Sequence, residues 1–403
     1  MVRFRWESDF KETVFGEIPK DWNEKKIDEI ADVGGGSTPS TKVKDYWDGD
    51  VAWITPNDLA SHKFRFISRG ERNITEKAVS DHSLKIYPSG TVLLTSRAPI
   101  GYLAIARNPV TTNQGFKNII TKIGTNNEFL YYFLKNIVEY LRDIAGGSTF
   151  SELTATTFRM VKIPIPSSNE QSRIAAVLSW FDGLIENKIR QNEILEQTAM
   201  VIFKSWFRDF EPFNDNESAD SPLGKIPNGW EVKELGKIVK FLYGKGLPEN
   251  KREDGPFPVV GSSGIIGYHS KNLVSAPSIV VGRKGNVGSV YLMLEPSFPI
   301  DTVFYSSEGT PSDLIFYTYH FLRTASLEDI GLSDTAVPGL NIHTLDSVKV
   351  LLPPQPVIKK FYNIVEPLLR KLFLNQKQIS VLGKARDSLL PLLVLGKVRV
   401  EDI

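Results

Sequence analysis

An α+β chain of two tandem strand-rich domains, each followed by a long helix, is the fold that this 403-residue sequence predicts. Three observations carry the prediction. The chain repeats itself, each half ends in a heptad seam, and each half holds short apolar strands punctuated by Gly and Pro.

The repeat is the strongest of the three. Gly16, Ile18, Pro19, Trp22, Lys25, Ile27 and Ile30 recur as Gly224, Ile226, Pro227, Trp230, Lys233, Leu235 and Ile238, at one offset (224 − 16 = 208). The ends of the halves match at a shorter one (353 − 166 = 187). There Val161-Lys162-Ile163 and Ile165-Pro166 become Val348-Lys349-Val350 and Leu352-Pro353. The first half therefore holds 21 more residues in its middle (208 − 187 = 21). Similar ends around dissimilar middles suggest one scaffold presenting two different surfaces.

Between the matched ends, Thr91-Val92-Leu93-Leu94, Tyr102 to Ala106 and Asn118-Ile119-Ile120 predict strands in the first half. Glu128 to Ile144 predicts a helix with Phe129, Tyr132, Phe133, Ile137, Tyr140 and Leu141 on one stripe. The second half offers Ser278 to Val281, Ser289 to Leu294 and Thr302 to Tyr305 as strands, then Asp313 to Thr324 as the matching helix.

The long helices follow Pro-rich stops. Ser168 is a candidate N-cap, with Gln171 three residues on as in a capping box. Ile174, Leu178, Phe181, Ile185, Lys188, Asn192, Leu195, Ala199, Ile202 and Trp206 then alternate steps of four and three. The second seam is Phe361, Val365, Leu368, Leu372, Asn375, Ile379, Leu382, Arg386, Leu389 and Leu393, with Pro367 as a potential kink. Each seam spans roughly 50 Å at 1.5 Å per residue. Seams this narrow predict that the helices pair, in either direction; the alternative is that each covers its own sheet. Polar seam residues favour pairing, because they fix register in coiled coils. The resulting boundaries are 1–167 for the first domain, 168–209 for the central helix and 210–222 for an acidic, solvated linker. The second domain then takes 223–354, the distal helix 355–393 and a tail 394–403.

Composition narrows the function. Hydrophobic residues make up 41%, which suits folded domains rather than disorder. The absence of cysteine excludes disulfides and thiolate metal sites and suits a cytoplasmic location. Met1 to Phe15 is charged and aromatic, unlike a signal peptide, and no apolar run is long enough for a membrane helix. The net charge of +1 is low for a free-standing DNA binder, so basic surface must be local or supplied by partners. Catalytic signatures are missing. There is no phosphate-binding loop or nucleophile elbow, and His62, His82, His269, His320 and His343 lack metal-ligand spacing. Gly261 to Gly267 has the wrong glycine spacing for a dinucleotide loop, and an amino-methylating Asp/Asn-Pro-Pro-aromatic motif is absent. Glu231-Val232-Lys233 reads as structure within the repeat, not as the tail of a nuclease motif.

Several segments carry a family resemblance. They are Ile18-Pro19…Trp22 and its repeat, Trp53-Ile54-Thr55-Pro56-Asn57-Asp58-Leu59, Asn113 to Lys117, Gly261 to Tyr268 and Val281 to Gly288. The helix ends Ile202 to Phe207 and Leu389 to Leu393 belong with them; Val394-Leu395-Gly396-Lys397 departs from the usual more polar segment. On these residues the chain resembles the DNA-specificity subunits of type I restriction-modification systems, over essentially its whole length.

The resemblance implies two target recognition domains related by a pseudo-two-fold repeat, with the helices packed as an antiparallel coiled-coil spacer. Each domain would read one half of a bipartite, asymmetric site in double-stranded DNA. The subunit itself would be non-catalytic. Two methylation subunits would supply adenine-N6 methylation from S-adenosylmethionine, and motor-nuclease restriction subunits would cut with ATP and Mg. No cofactor, metal or membrane contact is expected of this chain. The tail residues Lys397 to Val400 would meet the N-terminal segment and close the fold into a pseudo-circle.

Donors and acceptors suited to bases and phosphates then mark candidate DNA contacts. In the first domain they are Ser37, Thr38, Lys42, Lys44, Ser96, Arg97, Asn113, Gln114, Lys117, Ser148 and Thr149. In the second they are Lys245, Ser262, Ser263, Arg283, Lys284, Asn286, Thr335, Asn341 and His343. Gly-basic turns after strands, at Arg97 and at Arg283-Lys284, are the best cases; for the rest, solvated charge or turn geometry is the competing reading. Tyr46 and Trp53 could stack on a displaced base, with core packing favoured. Trp206 and Phe207 are candidates for receiving a methylation subunit, with spacer packing as the rival. The competing functions are a structural protein built on the coiled coil and an enzyme with an unrecognised site.

Overall fold

In a computed structural model, which describes residues 3–146, 151–213, 217–327 and 339–402, the chain forms two compact units. The first comprises Met1–Lys188 and Gln378–Ile403, the second Ile189–Lys377. Each unit contains one domain and a segment of both long helices.

The offsets seen in the sequence reappear as strand pairs. In the first unit Phe10–Thr13 pairs with Gly16–Pro19, and Asn23–Lys26 with Lys162–Ile165. In the second, Ser218–Ser221 pairs with Gly224–Pro227, and Glu231–Glu234 with Lys349–Leu352. Residues 218–221 fall within the solvated linker expected over 210–222. They are ordered instead because Gly224, at φ +94°, closes a hairpin like that at Gly16. The preceding Phe213 is also held, with its ring 5.1 Å from Trp230.

The first domain has a five-stranded sheet ordered Ala31–Gly34, Phe116–Thr121, Val92–Ser96, Ile100–Ala106, Phe66–Ile67; only the last pairing is parallel. The second has four antiparallel strands in the same order, Phe241–Tyr243, Val303–Ser306, Ser278–Gly282, Val290–Met293. Both add a small three-stranded sheet, built on Trp47–Ile54 and on Phe257–Gly261. The helix expected over 128–144 is two, Asn127–Asn136 and Val138–Asp143, separated at Ile137.

Two unbroken 40-residue helices complete the fold, Ser168–Phe207 and Gln355–Val394. Pro367 does not interrupt the second. Within the first unit they run antiparallel: Asp182 meets Arg386 at 2.5 Å, and Lys188 meets Gln378. Within the second they do so again, with Asn192 bonded to Asn375 at 3.0 Å and Phe203 packed on Phe361. Each helix pair continues into its domain's core. Ile174, Leu178, Leu390 and Leu393 join Ile18 and Trp22; Ala199, Phe203, Phe361 and Val365 join Ile226 and Trp230.

The cap of the central helix differs from the expected one. Ser167 bonds the Glu170 amide, and Gln171, fully buried, accepts from the Asn126 amide and donates to the carbonyls of Gly124 and Pro166. A glutamine facing a domain gains more by satisfying a buried loop than by capping its own helix. The tail Val398–Asp402 pairs antiparallel with Arg3–Trp6. Arg399 locks the junction, reaching Glu7 at 2.7 Å, Asp21 at 3.0 Å and the buried Glu170.

Candidate nucleic-acid interface

At one end of the first domain's main sheet, three turns converge. Strand Ala31–Gly34 leads into Ser37 and Thr38, strand Val92–Ser96 leads into Arg97, and the turn at Asn113-Gln114 precedes strand Phe116–Thr121. Antiparallel pairing brings them together: the Ser96 amide donates to the Gly115 carbonyl at 2.7 Å, and the Ser37 amide to the Thr112 carbonyl at 2.9 Å. Gly36 permits the second contact. A Cβ there would stand 2.0 Å from the Thr112 carbonyl oxygen.

The second domain repeats this construction. The Lys245 amide donates to the Pro299 carbonyl at 3.1 Å, and a Cβ on Gly244 would lie 2.0 Å from the Ile300 carbonyl oxygen. Ser262 is bound through its carbonyl by the Ser289 and Tyr291 hydroxyls, at 2.8 and 3.0 Å. The amides of Arg283 and Lys284 both reach the Thr302 carbonyl. Equivalent backbone therefore carries Ser37, Ser96 and Arg97 in one domain and Lys245, Arg283 and Lys284 in the other; Asn113-Gln114 corresponds to Ile300-Asp301, and Ser262, Ser263 and Asn286 lie on neighbouring turns of the second domain.

The side chains differ in freedom. Thr38 bonds Gln114 at 2.6 Å, and the Asn113 carboxamide accepts from the Gly115 amide, so this polar face is preorganised. Lys42 and Lys44 are exposed on the adjacent loop. Arg97 and Lys117 are not free cations, since both lie beside Glu152, at 3.7 and 3.8 Å. Lys117 is also buried and donates to Ser96; burial pulls its pKa below the usual lysine value, with Glu152 opposing. In the second domain Arg283 lies over the Tyr243 ring at 4.9 Å and donates to the Asp301 carbonyl, whereas Lys245, Ser263, Lys284 and Asn286 are exposed. Asn341 caps the helix Ile342–Asp346 through Thr344, with His343 exposed on its first turn. Ser148, Thr149 and Thr335 lie outside the described residues.

Aromatic candidates fall elsewhere. Trp53 is buried, donates to the Ser37 carbonyl and packs edge-on against Trp47. Tyr46 donates to Asp81. Phe207 packs on Trp230, Tyr317 and Phe361, and Trp206 on Phe213 and Phe361, so both serve the second unit's interior. Their helix positions could not reveal this, since a seam aromatic fits partner and core equally well. Glu152 was missed for a related reason: nothing near it in sequence indicates that it meets Arg97 and Lys117. Among the described residues no group of three acidic, His or Cys side chains could hold a metal ion, and no helix is long and apolar enough to cross a membrane.

One loop platform, built twice from matching backbone and tipped with different side chains, defines a two-headed recognition protein. Comparison with known proteins identifies its kind. The family model for the type I restriction modification DNA specificity domain matches residues 19–197 and 227–383, and the chain belongs to that family. It is 47% identical, over its full length and 99% of the relative's, to the type I restriction enzyme MjaIX specificity subunit of Methanocaldococcus jannaschii. Over 81% of this chain and 82% of the relative it is 24% identical to the Escherichia coli EcoprrI specificity subunit. The crystal structure of the type I restriction-modification S subunit from M. genitalium shares the fold, with a TM-score of 0.66 at 20% identity over 98% of this chain and all of that one.

Proposed function

We propose that this chain directs a type I restriction-modification complex to a bipartite, asymmetric DNA sequence, each domain reading one half. The observation that carries the reading is the paired loop platform: the same turns at the same sheet end, with Thr38, Asn113 and Gln114 on one and Lys245, Ser263, Lys284 and Asn286 on the other. Matching backbone at Ser37 and Lys245 and at Arg97 and Lys284, surrounded by different side chains, is what two unlike half-sites require. Amides and carboxamides are suited to adenine edges, lysines to guanine edges and phosphates. Arg97 and Lys117 are held back from phosphate by Glu152 and would contact it only when freed from that carboxylate.

The chain contributes recognition and leaves the chemistry to partners. Two methylation subunits would transfer a methyl group from S-adenosylmethionine to adenine N6, and restriction subunits would use ATP and Mg. Exposed apolar side chains on the helices support a protein partner. In the first unit these are Trp180 and Leu184; in the second, Ile194 and Leu374, 62% and 48% exposed. They replace Trp206 and Phe207 as the docking candidates. A complex of this kind acts on DNA in the cytoplasm.

The test is a genome-wide map of N6-methyladenine in cells carrying the cognate methylation subunit, with and without this chain. The reading requires a two-part methylated motif that appears only with the chain. Identical maps would refute it.

A further inference from the structure

The first domain carries a strand with no counterpart among the described residues of the second. Phe66–Ile67 adds in parallel to Ile100–Ala106: the Ile105 amide donates to the Arg65 carbonyl at 2.9 Å, and the Arg107 amide to the Ile67 carbonyl at 2.8 Å. The equivalent strand in the second domain is Val290–Met293, at the repeat offset (292 − 105 = 187). Among the described residues no strand pairs with its outer edge. The sequence explains why. The offset is still 208 at Gly36 and Gly244 and has fallen to 187 at Val92 and Ile279, so the 21 extra residues lie in the stretch that supplies Phe66–Ile67.

The open edge presents main-chain donors and acceptors in turn. The Gly282 amide donates to the Ser289 carbonyl, which fixes the antiparallel alternation and turns the amides of Leu292 and Leu294 outward. They face a groove of about 500 Å³, walled by Ile265, Leu292, Leu294, Leu369, Leu372 and Phe373. In the first domain the corresponding cleft is about 230 Å³, because the chain itself enters it. There the Arg65 amide bonds Glu186 at 2.7 Å and its guanidinium reaches Glu128 and Tyr132. At the repeat positions of Glu186 and Glu128 the second domain has Phe373 and Ile315. An occupant there must be apolar where Arg65 is basic. The polar ends of the groove are self-paired, Arg323 with Glu196 at 2.8 Å and Lys377 with Glu295, so they leave little charge for a phosphate.

We propose that the edge of Val290–Met293 receives, in parallel, an extended apolar segment of the methylation subunit, as the first domain receives its own residues 65–67. Main-chain bonds to Leu292 and Leu294 would give the affinity, and the apolar walls the selectivity. The exposed Leu374, next to Phe373, continues the same surface. The proposal rests on the functional reading above, which supplies the partner.

Two variants of the full chain test it. Leu292→Pro removes one outward donor on an edge strand, where proline is tolerated. Leu294→Lys places a charge in the groove. Both should weaken assembly with the methylation subunit about tenfold, by more than any change in thermal unfolding of the isolated chain, since Leu292 and Leu294 also pack against the second unit's core. In the wild-type complex, amide exchange over residues 289–295 should slow on assembly, a readout independent of either variant. A wild-type chain that assembles with unchanged exchange there overturns this proposal alone. Failure of the wild-type chain to assemble at all overturns the functional reading with it. Dimerisation of the isolated chain that both variants abolish would make the occupant a second copy and overturn the assignment to the methylation subunit.

Discussion

Replacing Arg386 with alanine should destabilise the first unit far more than the loss of its contacts alone. Arg386 meets Asp182 at 2.5 Å where the two helices pair, and Asp182 also accepts from the Tyr132 hydroxyl at 2.7 Å. The carboxylate is buried, at 7% side-chain exposure. Removing one partner of such a pair strands the other charge and costs about 3–5 kcal/mol. The second unit shows the alternative solution. The repeat positions of Asp182 and Arg386 are Leu369 and Ala199, both buried. Transplanting that pair, as Asp182→Leu with Arg386→Ala, should recover most of the loss, leaving roughly 1 kcal/mol for the Tyr132 hydroxyl's lost acceptor. Amide exchange in residues 174–186 reads this directly, because 3–5 kcal/mol corresponds to roughly a hundredfold to several thousandfold faster exchange. Equal destabilisation in the single and double variants would refute the reasoning, since the cost would then come from packing rather than from an unpaired charge.

Three further outcomes follow from the geometry. His320 is buried among Phe203, Phe361 and Tyr319, and burial pushes its pKa down to about 4, with the Phe316 carbonyl opposing and Arg323 adding to the fall. Between pH 6.5 and 4 the unfolded chain binds the proton that the folded chain refuses, so stability is lost as the pH is lowered through that window, by about 3 kcal/mol in total. His320→Phe, which copies Phe133 at the repeat position, should flatten this dependence in denaturant melts at pH 7 and 4.5; an unchanged slope would show that other groups titrate. Glu152→Gln should release Arg97 and Lys117 toward phosphate and steepen the salt dependence of DNA binding by about one to two units of slope; no change in slope would leave both cations outside the interface. Lys284→Ala should relax or weaken recognition of one half-site by about 1–3 kcal/mol and leave the other unaffected, which binding to DNA varied separately in each half will detect.

Much of the scaffold is legible in the chain because it is stated twice. Gly16 and Gly224 close matching hairpins, and Ile163 and Val350 sit in matching strands, so either half predicts the other. The seams announced pairing, though not its direction, since a heptad stripe such as Leu178 to Ala199 fits a parallel or an antiparallel partner equally. The candidate interface was legible only in part. The turns at Arg97 and at Arg283-Lys284 were marked in the sequence, whereas the close backbone approach that demands glycine at Gly36 and Gly244 shows only in the structure. The state of the charges was hidden. Arg97 reads as a free cation until Glu152 arrives from 55 residues away (152 − 97 = 55), and Gln171 reads as a cap until the loop Gly124–Asn126 folds over it. Phe66–Ile67 was invisible because two residues make no period, yet it has no counterpart among the described residues of the second half, which separates the two domains' edges.

The most direct test of two independent reading heads is a domain exchange. Residues 224–350 would be replaced by the same segment of a specificity subunit with a different target, and N6-methyladenine mapped in cells with the cognate methylation subunit. Two independent reading heads require a motif in which one half changes to the donor's sequence while the other half stays the same. A motif altered in both halves, or in neither, would contradict it.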